Sequence, residues 1–479
     1  MIFPSYIFIF IFLPIVLCLW KCHLNPNYRF ILLTLVSYIF YGWWDYRFVL
    51  LLIFSTSIDY FCGKNIYKCK ASGKRGLKWL TLSLTTNLSV LFFFKYYDFF
   101  ISSVAGGLNN LGFGVQFELL ELVLPLGISF YTFQSMSYSI DIYHAKANPA
   151  KNFFSFSAYV SMFPQLVAGP IVRYATMAKQ LEEHHKGPNI HLLRCGCWLF
   201  IIGLAKKILL ADPLAPLVSS VFDSPEKLYF ATAWAGTLAY TLQLYFDFSG
   251  YSDMAIGLGL LLGFNFPINF SSPYKSGDIS EFWKRWHITL SSFLRDYLYI
   301  PLGGSRVSKW LTFRNLAITM FLGGLWHGAA WTFVIWGCYH GILLITHALW
   351  KSTKIALPYI IAMPITFVSV CFGWVIFRAP SIEKAGEIFL ALIGVNKLSP
   401  SWTETYTTRL GDTPLFFAEN GGLDTFAIAI IGLLIVFLAP ASHDIKAREG
   451  IVAGGICGAL SVYLVLLLSK ETPFLYFQF

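Results

Sequence analysis

Apolar positions gather in long runs along this chain instead of alternating with polar ones. The runs cover 5–20, 30–43, 48–62, 79–94, 122–140, 153–168, 193–204, 228–246, 254–264, 313–350, 357–377, 424–440 and 451–469, several at or near the length that crosses a bilayer. Inside hydrocarbon each backbone polar group must be satisfied within its own segment, so such runs are read as helices. The pattern predicts an all-α polytopic membrane protein with roughly eleven transmembrane helices plus re-entrant and interfacial segments. The longest polar interruption is the 396–423 stretch. Residues 1–479 therefore read as a single membrane-embedded domain, with an extracytoplasmic loop at about 396–423 and a C-terminal tail at 471–479.

Composition agrees with lipid as the main solvent. Hydrophobic residues make up 56% of the 479 positions and charged residues 13%, and mean hydropathy is +0.62, too little polar surface to cover a soluble body of this size. The first twenty residues hold no Lys or Arg and Lys21 follows them, the reverse of a secretory leader, so 1–20 reads as an uncleaved span. The nine cysteines lie mostly in or beside apolar runs and Cys195-Gly-Cys197 lacks metal-ligand spacing, so no disulfide or metal is expected. The formal charge of +10 comes from residues in short loops, where they act as orientation signals and not as a nucleic-acid footprint.

Six basic residues and no acidic one occupy 64–78 (Lys64, Lys68, Lys70, Lys74, Arg75, Lys78), which places that loop in the cytoplasm. Counting spans outward from it puts Lys21–Arg29 inside, Met1 outside, and 98–121, which has no Lys or Arg, outside. The alternation fails at 153–170, which has basic residues on both flanks. Pro164 and Gly169-Pro170 would break a helix there, so this segment reads as re-entrant and lining a cavity, with a kinked ordinary helix as the alternative. Lys206-Lys207 interrupts another apolar run and should face that cavity, a partner or an interface. Asp247 and Asp253 flank Gly250 and read either as capping groups of a Gly-centred turn or as members of a substrate pathway.

The stretch 274–314 carries seven basic residues against Asp278, Glu281 and Asp296 and should be cytoplasmic. Within it Trp283, Trp286, Leu290, Phe293 and Tyr297 recur at helical spacing, predicting an amphipathic helix at the membrane surface or the cavity mouth. His287 lies beside that face, where a packing role competes with a catalytic one. The 313–350 run is too long for one span and short for two, and its Gly323, Gly324, Gly328, Gly337 and Gly341 would let helices approach closely. An imidazole at membrane depth is costly unless it works or is wetted, which makes His327 a functional candidate and His340 a second one.

The string from Glu281-Phe-Trp-Lys-Arg-Trp-His287 through Leu-Gly-Gly304, with Leu325-Trp-His-Gly-Ala-Ala-Trp331, resembles the signature of membrane-bound O-acyltransferases of the bacterial alginate O-acetyltransferase branch. Leu124–Gln134, Phe163–Arg173 and Tyr245–Met254 resemble the same branch, and the likeness weakens through 396–423. The resemblance implies a helical fold around a central funnel and puts the family's paired histidines on His287 and His327. In that reading His327 is the base. His287 orients the donor or polarises its carbonyl. Apart from the resemblance, the clustered charges of Lys284, Arg285 and Arg295 read either as holders of coenzyme A phosphates at a cavity mouth or as plain positive-inside anchors.

No cofactor is expected, because the acyl-CoA-type donor is a substrate. The resemblance also implies an acetyl group carried from the cytoplasm to an extracytoplasmic polysaccharide, an acyl-esterase-like partner outside, and residence in the bacterial inner membrane. Lys446 and Arg448 put 441–450 inside, so the tail after the last span, like Met1, is expected to be extracytoplasmic. The acceptor stays open among alginate, cellulose, peptidoglycan, another surface glycan and teichoic acid. Phe474-Leu-Tyr-Phe-Gln-Phe479 resembles the C-terminal aromatic motif of small companion proteins in D-alanylation systems, which makes Tyr476 a candidate acyl relay beside the plainer reading of an interfacial aromatic belt. The rival class is a multi-helix transporter, which would use Asp247 and Asp253 as its buried charges.

Overall fold

The computed structural model describes residues 1–21, 25–183, 187–223, 228–395, 422–445, 451–468 and 474–475. Among these residues every regular element is helical and no strand occurs. Among the described residues four helices are long and apolar enough to cross a membrane: Arg47–Ala71, Leu77–Asn110, Trp331–Ser352 and Tyr359–Arg378. Shorter apolar helices include Ile7–Lys21, Tyr28–Gly42 and Asp424–Leu438. Most of the expected extracytoplasmic loop lies outside the described residues, as does Tyr476.

The chain divides into two compact units, Met1–Phe200 with Met254–Pro267, and Ile201–Asp253 with Ile268–Phe479. In the first, rings of Phe3, Phe8, Phe12, Phe40 and Phe163 pack at centroid separations of 5.0 to 6.2 Å. The buried carboxylate of Asp59 takes hydrogen bonds from Ser83 Oγ and Asn87 Nδ2, so helices Arg47–Ala71 and Leu77–Leu91 are joined through a polar knot. The 153–170 segment breaks as its prolines and glycine foretell. The Phe153–Ser161 helix stops at Met162, and a separate turn, Phe163–Leu166, takes Pro164 in its first positions. Nine residues rise only about 13 Å against a hydrocarbon core of about 30 Å. Every residue from Ser155 to Val172 is buried, which is how irregular backbone survives away from water.

Two expectations are corrected. Residues 228–246 and 254–264 are not separate runs around a turn, because Phe230–Leu261 is one helix of 32 residues. Gly250 is there for a crossing: a Cβ on it would lie 2.7 Å from the carbonyl oxygen of Gly203. The amphipathic pattern of 283–297 is likewise not one helix. It divides into Ile279–Arg285, Ile288–Leu294 and a wide turn Arg295–Tyr299, with the break at His287. The 313–350 run resolves into a tight hairpin of Lys309–His327 and Trp331–Ser352. Its arms meet at Gly324 and Gly337, where added Cβ atoms would fall on the carbonyl oxygens of Phe333 and Met320.

Candidate functional site

His287 occupies the break between two short helices with φ 41° and ψ 55°, a left-handed conformation uncommon for a residue with a side chain. The strain is held from outside. Ile288 N–H donates to Asn269 O at 2.9 Å and Ser271 N–H to Arg285 O at 3.0 Å, so the 269–271 segment runs along both sides of the break. The Asn269 side chain completes the hold. Its Oδ1 accepts from Thr289 Oγ1 at 2.8 Å and Thr289 N–H at 3.3 Å, its Nδ2 donates to Ser252 Oγ at 3.1 Å, and His287 Nδ1 lies 3.1 Å from Oδ1.

A backbone N–H can only donate, so the atom facing Thr289 is the amide oxygen and Nδ1 of His287 carries the proton. The ring is fully buried, and burial pushes its pKa down to about 3, which keeps it neutral. A neutral ring protonated at Nδ1 presents Nε2 as an acceptor.

His327 ends the Lys309–His327 helix at the tip of the hairpin and is buried. The Trp326 ring lies 5.1 Å from that of His327 and 6.0 Å from that of His287, so one indole touches both imidazoles. Trp336 continues the row, 4.9 Å from His327 and 4.9 Å from His340. Imidazoles and indoles thus alternate from His287 through Trp326, His327 and Trp336 to His340. His340 is fully buried, also touches the Trp283 ring at 5.1 Å, and neither of its nitrogens has a hydrogen-bond partner among the described residues.

The three basic candidates are placed differently from one another. Arg285 is bound to Glu281 at 2.7 Å, one helical turn away, and to the Ser271 carbonyl; Arg295 is bound to Asp296 at 2.6 Å; Lys284 is exposed. Lys206 and Lys207, expected at a cavity, partner or interface, meet carboxylates: Lys206 lies 2.7 Å from Asp253, and Lys207 lies 2.6 Å from Asp247 and 2.8 Å from Asp212. Asp247 and Asp253 are accordingly helix residues in ion pairs and do not cap a turn. A basic pocket of about 360 Å³ in the first unit is lined by Lys70, Gly73, Lys74, Arg75 and Tyr143, none of them an expected site residue. No metal-binding cluster occurs among the described residues.

Asn269, Trp326 and Trp336 are the site residues that sequence reasoning missed. The tryptophans stand in or beside the quoted Leu325–Trp331 motif, where the histidine drew the attention. Asn269 sits in an irregular loop with no pattern to mark it.

Comparison with known proteins places these residues in context. The model of the membrane-bound O-acyltransferase family matches residues 150–380, a span that includes His287 and His327. A peptidoglycan O-acetyltransferase of Helicobacter pylori is 37% identical over 100% of this chain and 98% of its own length. A probable alginate O-acetylase of Azotobacter vinelandii is 39% identical over 100% of both chains. A teichoic acid D-alanyltransferase of Bacillus subtilis is 29% identical over 54% of this chain and 69% of its own.

Proposed function

This chain belongs to the membrane-bound O-acyltransferase family and is a multi-pass membrane O-acyltransferase, and from that premise we propose that it passes acetyl groups from a cytoplasmic acyl-CoA-type thioester to an extracytoplasmic glycan. The family assignment displaces the transporter alternative. The observation that carries the proposal is the single indole of Trp326 in ring contact with both His287 and His327. It sets two imidazoles along one buried wall, one on a strained break and one on a hairpin tip.

In this reading His327 is the base. It takes the proton from an attacking hydroxyl as oxygen bonds to the thioester carbonyl carbon, the C–S bond breaks, and the imidazolium returns the proton to the departing thiolate. His287, whose Nε2 is the acceptor nitrogen of this tautomer, orients the donor by accepting a hydrogen bond; polarising the carbonyl would need a proton that this tautomer holds on Nδ1. Lys284, Arg285 and Arg295 serve the donor's phosphates.

The attacking hydroxyl is that of Tyr476. Its phenol becomes an aryl ester, and a serine of a separate extracytoplasmic esterase-like protein then attacks that ester, releasing the tyrosine and carrying the acyl group to the polysaccharide. An inner-membrane location with both termini outside accords with that direction. The relatives named for peptidoglycan and alginate acetylation support a glycan acceptor.

The test is purified protein with acetyl-CoA labelled in the acetyl group. Wild type should release label from CoA, His327→Ala should lose about a hundred- to ten-thousand-fold in rate at unchanged elution from a sizing column, and Tyr476→Phe should leave the C-terminal peptide without the acyl adduct that mass spectrometry finds in wild type. Near-wild-type turnover in well-folded His327→Ala would sink the base assignment.

A further inference from the structure

The described end of the C-terminal tail is drawn into the second unit. Phe474 is only 4% exposed, with its ring 4.7 Å from Tyr251 and 5.7 Å from Phe248. The next residue, Leu475, donates its backbone N–H to Asp247 Oδ2 at 2.9 Å. Asp247, Phe248 and Tyr251 are neighbours on one turn of the Phe230–Leu261 helix. Phe248 also sets its ring 4.7 Å from that of His287. The tail and the histidine therefore lean on the same aromatic side chain.

The chemistry of Asp247 suits main-chain capture. A carboxylate in a buried, apolar setting persists when a cation and hydrogen bonds satisfy it. Lys207 supplies the cation at Oδ1, itself shared with Asp212, and leaves Oδ2 to receive an N–H. A bond to a backbone N–H selects no side chain but fixes the register of the segment that makes it, while the Phe474 ring, seated against two aromatic faces, fixes its direction.

We propose that Asp247, held by Lys207, and the Phe248–Tyr251 slot form a docking clamp for the chain's own C-terminal segment, and that they are positioning residues which set the register of Tyr476. The purpose of the clamp rests on the relay reading above; the docking itself does not.

The experiment uses the full-length protein in detergent and reads deuterium uptake in the C-terminal peptide alongside acetyl-transfer kinetics. Wild type should protect its tail amides. Asp247→Asn and, independently, Phe474→Ala should speed their exchange roughly ten- to a hundred-fold, the effect of losing a charge-assisted hydrogen bond or a seated ring. In both, kcat for transfer should fall while the donor KM stays put, and Phe474→Tyr should restore protection and turnover together. Phe474→Ala keeps the test decisive should Asp247→Asn fold poorly, because it leaves the Lys207 pair intact.

Tail amides that exchange in wild type as fast as in a free peptide, or that do not respond to either variant, would overturn the clamp even if Tyr476→Phe is inactive. A tail released by both variants, combined with full activity in Tyr476→Phe, would remove the relay and leave the docking standing.

Discussion

Nδ1 of His287 donates to the side-chain oxygen of Asn269 across 3.1 Å. That contact fixes the tautomer, and the same oxygen serves Thr289 twice, so Asn269 joins a strained residue to the helix that follows it. Asn269→Leu should strand up to three buried donors at about 1–3 kcal/mol each and lower kcat/KM for the acyl donor at least tenfold. Asn269→Asp should keep the acceptor but favour the imidazolium, moving the acid limb of the pH–rate profile to higher pH. An acid limb unmoved by the aspartate would remove His287 from the rate-controlling groups.

The buried neutral ring of His287 also makes stability depend on pH. Its folded pKa of about 3 lies below the unfolded value near 6.5, so the unfolded chain binds the extra proton between these limits. Its contribution is complete above pH 6.5 and is lost as pH falls toward 3. At pH 5 the deficit is about 2 kcal/mol. Thermal unfolding in detergent at pH 7.5 and pH 5 should show wild type losing more than His287→Gln, and equal losses would show that the ring is not held neutral.

Arg285 and Arg295 are engaged by Glu281 and Asp296, whereas Lys284 is exposed and makes no ion pair among the described residues. Surface pairs of this kind contribute little to stability, yet they reduce the charge offered to a phosphate. Lys284→Glu should therefore raise the donor KM severalfold with kcat nearly unchanged, and more than Arg295→Glu does. A KM indifferent to both reversals would make these residues membrane-orientation signals only.

The hairpin that carries His327 closes through glycines. Gly324→Ala and Gly337→Ala would drive a methyl onto backbone carbonyls that cannot swing away, an overpacking that costs about 1–3 kcal/mol. Gly341→Ala meets its nearest neighbour at 3.5 Å, ordinary contact, and should be tolerated. Melting temperature and acetyl transfer measured together should fall for the first two and hold for the third. Tolerance at Gly324 would mean that the arms separate without loss.

The sequence by itself determined the solvent and the helical class, and it marked His287 and His327 as candidates, because each is a local property. Long apolar runs read as helices in lipid, Pro164 and Gly169 interrupt a helix where they occur, and the strings around His287 and His327 lie within the 150–380 span that the family model matches. It did not determine where helices continue or stop. Asp247 and Asp253 beside Gly250 read as a turn, yet the helix passes straight through them because Lys207 and Lys206, on an earlier helical segment, neutralise both carboxylates and Gly250 admits the crossing backbone. Helical spacing from Trp283 to Tyr297 read as one amphipathic helix, yet it breaks at His287 because Asn269 accepts from the N–H groups of Ile288 and Thr289 and Ser271 donates to the Arg285 carbonyl, engaging backbone groups that a continuing helix would have used. The site was legible in its residue types but not in its tautomer, its shared indole or the register of its tail, since those depend on which distant donor or charge arrives at a given atom, and only the folded chain brings them there.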